Sequence, residues 1–308
     1  MEDNFYKITG LMSGTSIDGI DISLIKTNGK KFFPIKNYFY RYNKQTKNLL
    51  NIILENGSKI INDYKEINRL DNFISKLHIT ALKKSNFLSN TDIIGFHGQT
   101  IYHNPKIRKS IQLGNPQMIS NITKKTVVSD FRKQDLLNNG EGAPLAPIFH
   151  KAIIEKIKIN LPSCFINIGG VSNLTFWDKK QLIGFDTGPG NVLLDKYCKI
   201  HLDIDYDDKG NIASNGNVNK GFLDEFIQNP FFKKKYPKSL DKLFFDHYYI
   251  KLLSLKLSPE DTLATMVYMI ITSIKNSLSI LPEYPKSIII SGGGAKNSFL
   301  KNNLIRSI

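Results

Sequence analysis

The chain has 308 residues, 41% hydrophobic and 22% charged, a globular composition that excludes disordered, fibrous and collagen-like classes. No run of about 18 uncharged apolar residues occurs, and residues 1–7 lack a basic start leading into an apolar stretch, so neither a membrane span nor a secretory signal is expected. Forty-two Lys and Arg against 27 Asp and Glu leave a net charge of +15, but the lysines are scattered in small clusters such as Lys83-Lys84 and Lys124-Lys125, which argues against a nucleic-acid partner and for a small anionic substrate.

Residues 6–12 read as a strand running into the small-residue loop Ser13-Gly14-Thr15-Ser16, and alternating apolar residues over 20–25 predict its return as a hairpin. A strand follows over 32–39, then helices over 47–55 and 64–84, the second from Leu70, Phe73, Ile74 and Leu77 at helical spacing. Residues 91–96 predict a short buried strand that delivers His97, Gly98, Gln99 and Thr100 to a loop. Another strand over 126–129 ends at Asp130-Phe131-Arg132, followed by a glycine-rich loop over 138–144 and a helix over 145–157.

The second half repeats this grammar. A strand over 164–168, a turn at Gly169-Gly170 and a returning strand over 174–177 form a second hairpin. Residues 182–185 lead to Asp186 in a glycine-rich turn, and 191–200 read as a helix. After a polar stretch over 207–217 and further helices, Ser258 is placed to cap a long helix over 259–281 with Asp261 at capping-box distance. A strand over 287–290, a turn at Gly292-Gly293-Gly294 and a helix from 296 close the chain. Strands alternating with helices predict an α/β protein of two similar domains, 1–130 and 131–308. Two lone thiols, Cys164 and Cys198, without metal-ligand spacing fit a reducing, cytoplasmic setting.

Four glycine turns, at 10–16, 169–170, 188–190 and 292–294, follow apolar strands. Glycine lets a backbone approach closely, so its N–H groups can face phosphate oxygens. No Gly-x-x-x-x-Gly-Lys-Ser/Thr run or dinucleotide fingerprint is present, so a nucleotide must be held another way. Asp186 is the candidate base for phosphoryl transfer or attack by water; the alternative is a carboxylate capping the next helix. Asp18 and Asp21 flank the first hairpin tip, where one can hold Mg²⁺ through water or bond its own backbone. His97 and Gln99 suit sugar hydroxyls, and Arg132 offers a fork for a carboxylate.

The segments 10–21, 96–103, Asp130-Phe131-Arg132, 140–145, 167–173, 184–191, Pro237-Lys238-Ser239 and 291–297, in this order, resemble the anhydro-N-acetylmuramic acid kinase family over nearly the whole chain. The resemblance implies the two-domain actin-like ATPase (ribonuclease H-like) fold with a nucleotide cleft between its domains. It implies that 1,6-anhydro-N-acetylmuramic acid, water and ATP give N-acetylmuramic acid 6-phosphate and ADP, in cytoplasmic peptidoglycan recycling. On this alignment Asp186 is the base for water. Gly14, Thr15, Ser16, Ile17, Asp18, Gly19, Ile20, Asp21, Gly169, Gly170, Gly292, Gly293, Gly294 and Asn297 line ATP. His97, Gln99, Arg132 and Gly188 meet the sugar, Asp18 holds Mg²⁺, and a homodimer is compatible. Family members continue beyond the triple-glycine turn, so the second domain is expected to lack its last elements. An ATP-binding remnant of the family, or a kinase for another sugar, therefore stays open as an alternative. Lys238-Ser239-Leu240-Asp241 departs from the Thr-Gly-Arg-like continuation of some members and carries no assigned role.

Overall fold

A computed structural model describes residues 4–14, 17–240 and 242–308. The chain divides into two compact units, Met1–Gly142 and Ala143–Ile308.

In the first unit, β1 (Tyr6–Ser13), β2 (Gly19–Thr27) and β3 (Phe32–Arg41) form an antiparallel meander. Ile20, Ile22 and Leu24 alternate with exposed Asp21 and Ser23, so β2 buries one face only. β4 (Ile93–Asn104) lies parallel to β1 on its other side, β5 (Lys109–Leu113) is antiparallel to β4, and β6 (Thr126–Val128) pairs parallel with β4. The order is β3-β2-β1-β4-β5. The helix Tyr64–Ser85 starts at Asp63, whose side chain accepts from the Glu66 N–H, and presents Leu70, Ile74 and Leu82 to the core that also holds Ile22, Ile94 and Phe96.

The second unit repeats the plan. β7 (Ser163–Ile168), β8 (Val171–Trp177) and β9 (Leu182–Pro189) form a meander, and β10 (Ser287–Ser291) is parallel to β7 in the order β10-β7-β8-β9. One face, with Ile166, Leu174, Phe176, Ile183 and Phe185, packs on the helix Pro259–Ser279 through residues such as Met266, Ile270 and Ile274. Ser258 caps that helix, accepting from the Asp261 N–H at 3.1 Å as its sequence predicts. The other face is covered by the helix Pro147–Ile157, where Pro147 packs on Gly184 and His150 Nδ1 lies 2.8 Å from Thr175 Oγ1. Each half is thus a three-stranded meander with a parallel strand added beside its first member, the topology of the ribonuclease H-like half-module.

Two expectations are corrected. β4 is not a short strand ending at a loop: it runs twelve residues, and His97 and Gln99 lie within it. β1 pairs with it up to Ser13↔Gln99 and β5 pairs from Gln99↔Leu113 onward, so its backbone groups have partners on both edges. Likewise Asp186 does not sit in a turn, because β9 continues through Thr187 and Gly188 to Pro189, paired with β8. Among the described residues, no helix is long and apolar enough to cross a membrane.

Candidate active site

In the first unit the site residues gather at one end of the parallel strands β1, β4 and β6. The tip between β1 and β2 is closed by Ile17 N–H donating to Gly14 O at 3.3 Å. Ile17 has φ of 56°, costly for a β-branched residue, and its fully buried side chain holds it there. Thr15 and Ser16, expected nucleotide contacts, lie outside the described residues. Ile20 is in the core, so only its backbone is available to a ligand, and Gly19 packs on Phe39 and Tyr40. Asp18 and Asp21 share this tip; partial desolvation, and secondly the Asp18 charge, raise the Asp21 carboxyl. Two neighbouring carboxylates fit a Mg²⁺ that retains several waters, although Lys47 Nζ also lies 3.7 Å from Asp18.

Gln99 is fully buried and its Nε2 donates to Gly14 O at 3.3 Å, so it ties β4 to the hairpin tip rather than lying open to a sugar. His97 Nδ1 lies 2.8 Å from Gly98 O, and its Nε2 receives Arg132 Nε at 3.2 Å and Nη2 at 3.0 Å. An arginine donates only, so Nε2 is the acceptor and Nδ1 carries the proton. Burial first, and the Arg132 charge second, lower the His97 pKa to about 4. His97 is therefore a neutral holder of Arg132, whose Nη1 donates to Gly142 O at 2.7 Å. Asp135 fixes that loop in turn, accepting from the Gly142 N–H at 2.6 Å. The Nε–Nη2 edge, a common carboxylate fork, is thus engaged by His97.

In the second unit β7, β9 and β10 run the same way, and their carboxyl ends bring three glycine turns together, the end at which open α/β sheets bind ligands. Gly190 and Asn191 N–H groups donate to Gly170 O and Gly169 O at 2.9 and 2.7 Å. Gly292 has φ of 84°, and a Cβ there would stand 2.5 Å from Ile168 O. Gly293 and Gly294 lie against the Asn191 side chain. Asn297 accepts from the Leu300 N–H and caps the helix Ser298–Ser307, so its carbonyl is engaged in the fold. Gly188 is buried against Ser273, which places it in the packing between β9 and the long helix.

Asp186 is buried within β9. Its N–H donates to Lys238 O at 3.0 Å, and its Oδ2 accepts from the Leu240 N–H at 2.8 Å. Segment 238–240 therefore lies along β9 and aims the carboxylate through a charge-assisted bond. The helix-cap alternative fails, since the helix Val192–His201 begins at Asn191 without a side-chain cap.

Three residues were not foreseen as site members. Lys238 is 1% exposed, its Nζ donates to Phe231 O at 3.2 Å and stands over the Phe231 and Phe185 rings, and burial first, with Lys234 second, lowers its pKa to about 8. Asn173 lies directly opposite Asp186 in the β8–β9 register, and Thr187 is the extra residue of a bulge there. Among the described residues, Asn173 Oδ1 and Thr187 Oγ1 are buried without a hydrogen-bond partner; such a group costs about 1–3 kcal/mol. A motif residue facing Asp186 across a hairpin was the available signal.

The doubled half-module, with a hairpin opening each half and a carboxylate held in the second, defines the actin-like ATPase class. The family model described as anhydro-N-acetylmuramic acid kinase matches residues 6–308, and the chain belongs to that family. It is 37% identical over 311 residues to the anhydro-N-acetylmuramic acid kinase of Hydrogenovibrio crunogenus, covering 96% of this chain and 81% of that one. It is 36% identical over 323 residues to the same-named protein of Haemophilus influenzae, covering 99% and 83%. A xylulose kinase structure from Lactobacillus acidophilus overlaps 97% of this chain and 83% of its own at 13% identity with a TM-score of 0.38, too loose to carry weight.

Proposed function

We propose that the chain is an ATP-dependent kinase that converts 1,6-anhydro-N-acetylmuramic acid and water to N-acetylmuramic acid 6-phosphate, with Asp186 as the base. The observation that carries the assignment of Asp186 is its placement: a buried carboxylate, fixed by the Leu240 N–H, on the sheet whose strand ends gather the glycine turns. Asp186 takes a proton from water as the water oxygen bonds to C1 of the sugar. The C1–O6 bond breaks, and O6 with its electron pair attacks the γ-phosphorus of ATP. The bond from that phosphorus to the ADP oxygen breaks, and the proton on Asp186 passes to solvent. Atoms and charge balance as sugar, water and ATP give sugar 6-phosphate, ADP and a proton.

The remaining residues position the reactants. The tip around Gly14 and the Gly169-Gly170 turn offer backbone to phosphates, with Gly292-Gly293-Gly294 on the adenosine side. Arg132, oriented by neutral His97 and the Gly142 carbonyl, is the candidate partner of the lactyl carboxylate. Asp18, with Asp21 beside it, would hold Mg²⁺, which neutralises charge developing on the phosphates when bound. The substrate class points to peptidoglycan recycling in the cytoplasm.

The reading is tested by turnover in ¹⁸O-labelled water. Label at C1 of the phosphorylated product, and none in its phosphoryl group, is the expected result; unlabelled C1 would refute attack by water. ADP release that ignores the anhydro sugar but follows a simple hexose would move the chain to another sugar.

A further inference from the structure

We propose that Asn173 is a second catalytic residue, whose side-chain carbonyl holds the attacking water beside Asp186. This rests on the reading of Asp186 as the base. Residues directly opposed across antiparallel strands project to the same face, with Cβ atoms about 4.5–5.5 Å apart, and Asn173 and Asp186 are such a pair. Their neighbours Leu174 and Phe185 form the next pair and point into the core, so Asn173 and Asp186 share the opposite face. The bulge at Thr187 shifts the β8–β9 register just beyond Asp186, a feature that re-aims side chains beside active sites.

Asn173 Oδ1 accepts nothing among the described residues and is closed off from solvent in this conformation, so a water reaches it only once the side chain or its cover shifts as substrate binds. A buried amide oxygen calls for a donor, and the reactant here that carries two donors is water. One O–H given to Asp186 and the other to Asn173 Oδ1 leaves both lone pairs on the water oxygen, one of them for C1. In the transition state the proton goes to Asp186 and the second O–H stays on Asn173. Asn173 thus fixes the direction of attack without changing its own protonation. Segment 238–240, which packs on Asp186 from the other side, carries one charge, Lys238, and its ammonium is bonded to Phe231 O.

Asn173→Ala should lower kcat about 10–100-fold, with KM for the anhydro sugar and for ATP each within about twofold of the parent. Asn173→Asp keeps the size and an acceptor oxygen, so it should fold even if the alanine variant does not. Its added negative charge beside Asp186 should move the acidic limb of the kcat–pH profile upward, and at the plateau it should recover more activity than alanine. Full kcat in Asn173→Ala, or an unmoved acidic limb in Asn173→Asp, would overturn the proposal. Asp186→Asn in parallel separates the two readings: sustained turnover in that variant refutes the base itself, whereas a dead Asp186→Asn beside a fully active Asn173→Ala refutes Asn173 alone.

Discussion

The two halves share one strand plan and use it differently. In the first, charged groups stand at the rim: Asp21 is exposed, Asp18 faces Lys47, and half-buried His97 is neutral and bonded to Arg132. In the second, the polar groups lie inside. Asp186 is held in β9, Lys238 is buried beneath it, and Asn173 faces it with an unused acceptor. A rim of fixed donors, with carboxylates that a Mg²⁺ would bridge to phosphates, suits recognition of anions. A buried carboxylate with directed partners suits proton transfer, because its orientation is settled before substrate arrives. On the proposed function, the first half would serve recognition and the second the chemistry.

The largest expected effect tests that division directly. Asp186→Asn keeps the shape and the Leu240 contact but removes the base, and should lower kcat by about 10²–10⁴-fold while nucleotide binding, followed by calorimetry, stays close to the parent. Loss of ATP binding with the fold intact would place Asp186 in the recognition set. Arg132→Met should act on the other side, raising KM for the anhydro sugar and leaving kcat less affected. Charged hydrogen bonds contribute about 1.5–3 kcal/mol, equivalent to roughly 10–100-fold in kcat/KM. A pure kcat defect would mean that the first half also does chemistry.

Glycine substitutions sharpen the contrast at the backbone level. At Gly190 a Cβ would overlap the Gly169 carbonyl oxygen, whereas at Gly10 in β1 the nearest obstacle, Ser23 O, is 3.9 Å away. Gly190→Ala should cost about 1–3 kcal/mol and weaken ATP binding, while Gly10→Ala melts near the parent temperature. Equal melting temperatures would show that the turns of the second half are not tightly packed.

Much of this was legible in the sequence because it lies in local patterns. The alternation in β2, the hairpin tips, the Ser258 cap and the 3.6-residue spacing of the helix Tyr64–Ser85 all come from short-range rules. What escaped depended on distant partners. β4 outlasts its apolar run because β5 pairs with its second half, a contact no window over 91–104 contains. Asp186 read as a turn residue for the same reason: glycine and proline at 188–190 signal a turn, yet β8 keeps pairing through Pro189. Lys238 had no assignable role in the sequence, since the rings of Phe185 and Phe231 reach it only through the fold. The site residues were readable as types, but their partners were not: no local window shows that His97 Nε2 receives Arg132.

The smallest effect at neutral pH is an acid sensitivity divided unequally between the halves. Buried His78 and half-buried His97 in the first, and buried His150 in the second, are held at pKa values of about 4, in each case mainly by desolvation. The unfolded chain titrates these histidines near 6.5. Between pH 6.5 and 4 the unfolded chain therefore binds protons that the folded chain refuses, and stability falls as pH drops through that window. Each histidine contributes at most about 1.4 kcal/mol per pH unit below 6.5. His78 carries no part of the proposed chemistry: it lies 5.0 Å from the Phe96 ring, and its Nδ1 meets Ile74 O within its own helix. His78→Leu should leave kcat unchanged and flatten the decline of melting temperature between pH 6.5 and 4, and His150→Leu should do the same for the second half. A decline of melting temperature that His78→Leu leaves unchanged would show that His78 is not a group whose protonation the fold resists.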